Sequence, residues 1–318
     1  VIQPKDIRTV FMGTPEFAIP TLQGLIESGL HMVGVFTQPD RPKGRGNKLT
    51  PSPVKELALE KGIPVFQPLK LRAPEAVEDL RKLRPDLIVV VAYGQILPKS
   101  VLDIPRFGCI NVHASLLPRY RGAAPINKMI MEGEEVGGVT TMFMDVGLDT
   151  GDMLVKKSLP IGFEETAGEL HDRLSLLGRE AMEETLGRLC AGTLERQVQD
   201  DAQSTYAPML KKEDGIIDWT RSALQIHNQV RGLSPWPAAF TFLEGEQLKI
   251  ARTLPEAGSG TPGTIVSASA DGVRVACGDG VLLIRQLQLP GKKSLPAAEF
   301  LRGNPLPVGI KLGDDSSS

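Results

Sequence analysis

DLIVVVAYG at residues 86–94 and GCINVHAS at residues 108–115 decide the fold. Both runs are nearly continuous in apolar and β-branched residues, without the alternation that a water-facing side would impose. Each therefore predicts a strand covered on both faces, as in a parallel sheet. Working outward, IRTVFMG (7–13), HMVGVFT (31–37) and PVFQP (64–68) are further short strands. Amphipathic stretches separate them, from Glu16 to Ser28, Val54 to Gly62 and Pro74 to Leu83. Strand and helix alternate, so the fold class is α/β with a mostly parallel sheet. Pro20 is compatible with the first helix only if it lies in the first turn, where its missing N–H does little damage.

Beyond these come two more strand patterns, GVTTMFMD (138–145) and DMLVKKSLPI (152–161). From Thr166 to Cys190, Leu170, Leu174, Leu177, Met182, Leu186 and Leu189 recur at roughly helical spacing and predict the longest helix. Residues 191–208, AGTLERQVQDDAQSTYAP, are polar and aperiodic. They read as a surface linker between a domain at 1–190 and a second at 209–318. A helix from Ser222 to Gly232 opens the second domain. Four strand-like segments follow, FTFLEGEQLKIAR, GTIVSAS, GVRVACGDG and VLLIRQLQL, separated by glycine turns, which suggests a small OB-like β-barrel. The tail GDDSSS (313–318) is polar and expected to be disordered, and VIQPKD (1–6) carries no readable signal.

At 318 residues the chain exceeds one domain of about 150. Its 36 Lys+Arg against 38 Asp+Glu, with 41% hydrophobic and 23% charged residues, are an ordinary globular balance. Disorder, collagen and a strongly basic nucleic-acid coat are excluded. Cys109, Cys190 and Cys277 are widely spaced, which excludes a disulfide scaffold and an obvious zinc ribbon. The apolar runs are too short to cross a bilayer and the first residues lack a signal-peptide pattern, so the expected location is the cytoplasm, without membrane contact.

Four places could carry chemistry. Gly13-Thr14-Pro15 follows the first strand where a dinucleotide fingerprint would stand, but only one glycine is in place, so a tight strand-to-helix turn is the better reading. Asn111 and His113 are two apart on a strand and point to one face, at the carboxyl end where open α/β sheets bind ligands. Asp145, Asp149 and Asp152 lie in a glycine-containing loop, MDVGLDTGDM, and Asp149 is the carboxylate expected nearest His113. The insertion QPDRPKGRGNK (38–48) holds Arg41, Lys43, Arg45 and Lys48, and its glycine and proline content predicts a mobile loop suited to a phosphate backbone.

With Asn111, His113, the run SLLPRYRG and LDTGD taken together, the sequence resembles the folate-dependent formyltransferases, whose catalytic set is an Asn, a His and an Asp. The basic insertion, AAPINKMIMEGE, GVTTMFMDVGLDTGDM, SPWPAA (234–239) and GDG…GKK (278–293) resemble its tRNA-directed branch, from about Ile7 to Val308. The resemblance implies a Rossmann-like catalytic domain followed by an OB-like tRNA-binding domain. It implies formyl transfer from 10-formyltetrahydrofolate to the α-amino group of methionine on initiator tRNA, by a monomer that uses no metal. Asn111, His113 and Asp149 are then the catalytic residues. Ser115, Leu116, Leu117 and Pro118, with Val91, Ala92, Tyr93, Gly94, Ile96 and Leu97, would border the folate. Arg41, Lys43, Arg45 and Lys48 would meet the tRNA, joined by Lys211 and Lys212 and, less directly, by Lys249, Arg252, Lys292 and Lys293.

Within the same chemistry the acceptor could instead be glycinamide ribonucleotide, an amino-sugar nucleotide or water. The basic insertion and the second domain argue for tRNA. A non-catalytic RNA- or folate-binding protein is the third reading, and it would have no need for all of Asn111, His113 and Asp149.

Overall fold

The run that decides the fold is buried throughout: in the computed structural model, which describes residues 1–313, Leu87, Ile88, Val89, Val90 and Val91 are all inaccessible or nearly so. The tail expected to be disordered falls, from residue 314 onward, outside the described residues. In chain order the elements are β1 (Arg8–Gly13), α1 (Ile19–Glu27), β2 (His31–Phe36), β3 (Arg41–Lys43), β4 (Lys48–Thr50), α2 (Pro53–Glu60), β5 (Val65–Phe66) and α3 (Pro74–Leu83). They continue with β6 (Leu87–Val91), α4 (Lys99–Leu102), β7 (Cys109–His113), β8 (Arg121–Gly122), α5 (Pro125–Met131), β9 (Val136–Phe143), β10 (Met153–Pro160) and α6 (Ala167–Ala191). Pro20 is the second residue of α1, where no intrahelical donor is lost. Ser52 caps α2 by accepting from the Lys55 amide at 3.1 Å.

Seven strands form one sheet in the order β10-β9-β7-β6-β1-β2-β5. The pairs β1–β2, β1–β6, β6–β7 and β2–β5 are parallel, and β7–β9 is antiparallel. One face of β1, β6 and β7 packs under α3, through Val10, Met12, Ile88, Val90 and Cys109 against Val77 and Leu80. Burying each such side chain contributes about 1.5–3 kcal/mol, so this cluster is a main support of the sheet. Val112 points the other way, to the side of α6, where Gly178 leaves room for it: a Cβ at Gly178 would lie 3.0 Å from the Val112 side chain.

The chain forms two compact units, interleaved in sequence. The first comprises Val1–Gly122, Gly137–Leu159 and His171–Tyr206, and the second comprises Ala123–Val136, Pro160–Leu170 and the residues from Ala207 onward. Two stretches that precede residue 190 thus pack with the later part of the chain. Their physical tie is visible at α5, where Asn127 donates to the Gly232 carbonyl at 2.8 Å and Met131 fills the space beside Gly232.

After β11 (Tyr206–Ala207), the second unit holds α7 (Ala223–Gly232), β12 (Ala239–Leu243), β13 (Glu246–Glu256), β14 (Ile265–Ser269), β15 (Gly272–Ala276), β16 (Val281–Gln288), β17 (Leu295–Pro296) and α8 (Ala297–Gly303). Its antiparallel sheet runs β12-β13-β16-β15-β14, with β17 also on β16. Ile226, Val230 and Phe300 from the helices share a core with Leu248, Ile250, Ile284 and Leu287. A Ser222–Gln225 capping box starts α7. Among the buried polar side chains of α7, His227 and Arg231 are well supplied with hydrogen-bond partners. His227 holds Thr253 Oγ1 at 2.9 Å and the Phe163 carbonyl at 2.8 Å, while Arg231 donates to Asn228 Oδ1 and to the carbonyls of Gly162 and Glu165. Burial pushes the His227 imidazole below its usual pKa.

Candidate active site

The period of a strand carries Asn111 and His113 to one face of β7, at its carboxyl end. His113 is 7% exposed, and its Nε2 lies 2.8 Å from the carbonyl oxygen of Tyr120. A carbonyl only accepts, so Nε2 carries the hydrogen and Nδ1 is the nitrogen left for other work. Nδ1 faces Asp149, whose Oδ2 is 3.7 Å away, too long for a hydrogen bond and close enough for strong attraction to an imidazolium. That same oxygen accepts from the Gly122 amide at 2.8 Å. Asp149 adopts a left-handed backbone with φ of 55°, so its carboxylate is aimed by the surrounding loop rather than by intrinsic preference. Among the described residues the Asn111 side chain has no hydrogen-bond partner, so its amide is unspent.

β6 pairs with β7 so that Val90 stands opposite Asn111, and residues 91–97 therefore leave the sheet beside the candidate catalytic face. Ala92 and Gly94 take positive φ values of 49° and 91°. Their exposed backbone alternates with the buried side chains of Tyr93 and Leu97, while Ile96 is 86% exposed. None of the amides of residues 92–97 pairs with another described residue, so the turn keeps backbone donors unspent. Burial drives the Tyr93 phenol well above its usual pKa. On the other side of the face, Ser115 donates to the Arg119 carbonyl at 2.6 Å, and the Leu117 amide donates to Thr140 Oγ1 at 3.1 Å. Leu117 itself is buried with Met142 and Met153, and Leu116 lies against Gly138. Ser115 and Leu117 thus shape the loop through contacts of their own, and Pro118 is half-buried.

Residues 7–186 match the model of the formyl transferase family, and residues 209–305 match that of the formyl transferase C-terminal domain. The chain belongs to the formyl transferase family. The methionyl-tRNA formyltransferase of Geobacter sulfurreducens is 60% identical over 311 residues, covering 98% of each chain. That of Citrifermentans bemidjiense is 61% identical over 312 residues, again covering 98% of both. A solved N-formyltransferase from Helicobacter canadensis in complex with folinic acid and dTDP-3-aminofucose superposes with a TM-score of 0.67 at 19% identity, covering 89% of this chain and 98% of that one. At that identity it speaks for the fold.

In this formyl transferase the basic insertion, expected as a loop, contains a short hairpin. β3 and β4 pair Arg41 with Thr50, Pro42 with Leu49 and Lys43 with Lys48. Gly44, Gly46 and Asn47 take positive φ in the turn, so the glycines build a tight reversal. The pairing collects Arg41, Lys43 and Lys48 on one face and the apolar Pro42 and Leu49 on the other. Arg45 sits at the exposed tip. Its foot is anchored: Asp40 accepts from Gln67 at 2.7 Å and from Lys55 at 3.1 Å, contacts that hold its carboxyl below the usual range. In the second unit Lys211 and Lys212 are exposed at a short 3-10 turn, Lys212–Gly215. Arg252, by contrast, is paired with Glu169 at 3.0 Å.

Sequence reasoning missed Gln199, which is 6% exposed within the stretch expected to be a surface linker. It binds the carbonyls of Asp149 and Gly151. No periodicity marks it, because it serves a loop and not a helix or strand. A cavity of about 610 Å³ beside β5, lined by Phe36, Phe66, Pro68 and Leu69 among others, contains none of the candidate site residues. Burial raises the thiol of Cys109 to about 12 and that of Cys277 to about 11, which makes both inert core residues. Among the described residues no group of three or more His, Cys, Asp or Glu could hold a metal ion, and no helix is long and apolar enough to cross a membrane.

Proposed function

We propose that the chain transfers the formyl group of 10-formyltetrahydrofolate to the α-amino group of methionine on initiator tRNA. The observation that carries this reading is the His113–Asp149 pair beside an unengaged Asn111 at the carboxyl edge of the sheet. It stands in a chain similar along nearly its whole length to methionyl-tRNA formyltransferases.

Attack of the amine on the formyl carbon forms a tetrahedral oxyanion, which needs donors waiting for the oxygen. Asn111 supplies a side-chain N–H, and His113, held through Nε2 by Tyr120, offers Nδ1 to the reacting atoms. Asp149 stabilises the imidazolium and organises removal of the amine proton. As the new C–N bond forms and the bond to the folate nitrogen breaks, the amine gives up one proton and the leaving nitrogen takes up one. The site therefore ends the cycle in its starting protonation state. The exposed backbone at Ala92, Gly94 and Ile96 holds the pterin, with Val91, Tyr93 and Leu97 fixing the turn from below and Ser115 to Pro118 bordering the other side.

On this reading the first unit is the catalytic domain and the second, with its antiparallel sheet, is an OB-like tRNA-binding domain. The enzyme works as a cytoplasmic monomer. Arg41, Lys43, Arg45 and Lys48, with Lys211 and Lys212, contact the tRNA. Support comes from the one-sided basic face of the hairpin, which suits a phosphate backbone and has no evident use with a small acceptor.

The test is transfer of labelled formyl from 10-formyltetrahydrofolate to methionyl initiator tRNA, with uncharged tRNA and glycinamide ribonucleotide in parallel. Label is expected in formylmethionine from the charged tRNA alone. Label in the ribonucleotide, or only in free formate, would overturn the assignment of the acceptor.

A further inference from the structure

Residues 197–205 tie the loop whose Tyr120 holds His113 to the loop that carries Asp149. The Gln199 side chain spends its whole hydrogen-bonding capacity there. Its Nε2 donates to the carbonyls of Asp149 at 2.8 Å and Gly151 at 2.7 Å. Its Oε1 accepts from Arg121 Nε at 3.1 Å and Nη2 at 2.9 Å. Six residues on, Thr205 Oγ1 accepts from the Tyr120 amide at 2.8 Å, and the Thr205 carbonyl accepts from the Arg121 amide at 2.9 Å. Tyr120 is the residue whose carbonyl holds His113. Both residues gripped by this strap, Tyr120 and Asp149, have left-handed backbones, with φ of 57° and 55°. A non-glycine residue keeps such a conformation only where its surroundings over-determine it. At Asp149, two hydrogen bonds from one side chain to the carbonyls of residues 149 and 151 are such surroundings.

We propose that Gln199 is a positioning residue for formyl transfer. Its amide locks the Asp149–Gly151 turn so that the Asp149 carboxylate faces Nδ1 of His113, while Thr205 fixes Tyr120 and hence the other ring nitrogen. The proposal rests on the reading of His113 and Asp149 as the catalytic pair. It makes the polar stretch 197–205 part of the active-site framework of the first unit. Glutamine suits the task because one side chain must donate twice to carbonyls and accept from a guanidinium, which neither glutamate nor an apolar residue can do.

The experiment compares wild type, Q199E, Q199L, D149N and the double variant D149N/Q199E, each checked for folding by thermal melting. Glutamate keeps the volume and the Arg121 contact but cannot donate to the two carbonyls, so it guards against a simple failure to fold. Expected for Q199E and Q199L is a fall in kcat of about 10–100-fold, as for a reacting group misplaced by about an ångström, with KM for tRNA and for folate within about twofold of wild type. In the D149N background Q199E should cost nothing further, because the residue acts through Asp149. A kcat for Q199E within about twofold of wild type would overturn the proposal. So would a loss that persists in full on D149N, the mark of a general structural role. A D149N enzyme with wild-type kcat would instead overturn the catalytic reading of Asp149, and that pattern is distinguishable from a defect in D149N that Q199E fails to reproduce.

Discussion

His113 Nε2 lies 2.8 Å from the Tyr120 carbonyl, and this single contact decides the tautomer of the ring and turns Nδ1 toward Asp149. A strand-end histidine would otherwise be free to present either nitrogen. Tyr120 belongs to the run SLLPRYRG, so the motif's value lies partly in where its backbone oxygen falls.

Replacing His113 by alanine removes the imidazole proposed to meet the reacting atoms without touching the hairpin. Turnover should drop by about 10²-fold or more, with a modest change in tRNA affinity. Steady-state kinetics with charged tRNA, together with a filter-binding affinity, check this. Undiminished turnover would remove His113 from the mechanism.

The basic face of the hairpin should show itself in salt dependence. Each of R41A, K43A and K48A should lower the slope of log affinity for tRNA against log salt by about 0.7–1, as one phosphate contact is lost. Folate binding should not change. A slope equal to wild type in all three variants would mean that the tRNA passes elsewhere.

Gly151 stands where a Cβ would lie 1.6 Å from the Phe143 carbonyl oxygen, with no flexible atom to give way. G151A must therefore move the Asp149 turn. The expected result is a fall in kcat comparable to that of D149N and a loss of about 1–3 kcal/mol in urea denaturation, typical of overpacking. An alanine variant with both properties unchanged would show that the turn is more yielding than its contacts imply.

His227 sets a pH dependence of stability. Its ring is satisfied as the neutral form, donating from Nε2 to the Phe163 carbonyl and accepting at Nδ1 from Thr253, and burial lowers its pKa. The unfolded chain takes up the proton more readily than the folded one. The contribution is therefore full above the ordinary histidine value near 6.5 and is lost as pH falls below it toward the lowered folded value. Urea midpoints measured from pH 8 down to pH 5 should decline, and H227Q should flatten that decline. Equal slopes in the two proteins would count against this source.

The sequence by itself determined the local structure, because strand and helix periods are written in neighbouring residues. The continuous apolar run at 87–91, the helix at 74–83 with its proline at the first position, and the shared face of Asn111 and His113 all follow from spacing alone. The family resemblance added Asp149 as the third candidate. Only the tertiary structure decided how far apart the members stand and what holds them. The order of the strands puts β7 between β6 and β9, and so brings the Asp149 loop over His113 and the 91–97 turn beside Asn111. The same holds for Gln199 and Thr205, whose partners lie 50 and 85 positions away in the chain. Their hydrogen bonds close loops against loops, and a loop has no repeat that would mark its buried residues in the sequence. The hairpin is a further case: glycine and proline content marked a loop, and only the structure, with positive φ at Gly44 and Gly46, pairs β3 with β4 and sorts the charges onto one face.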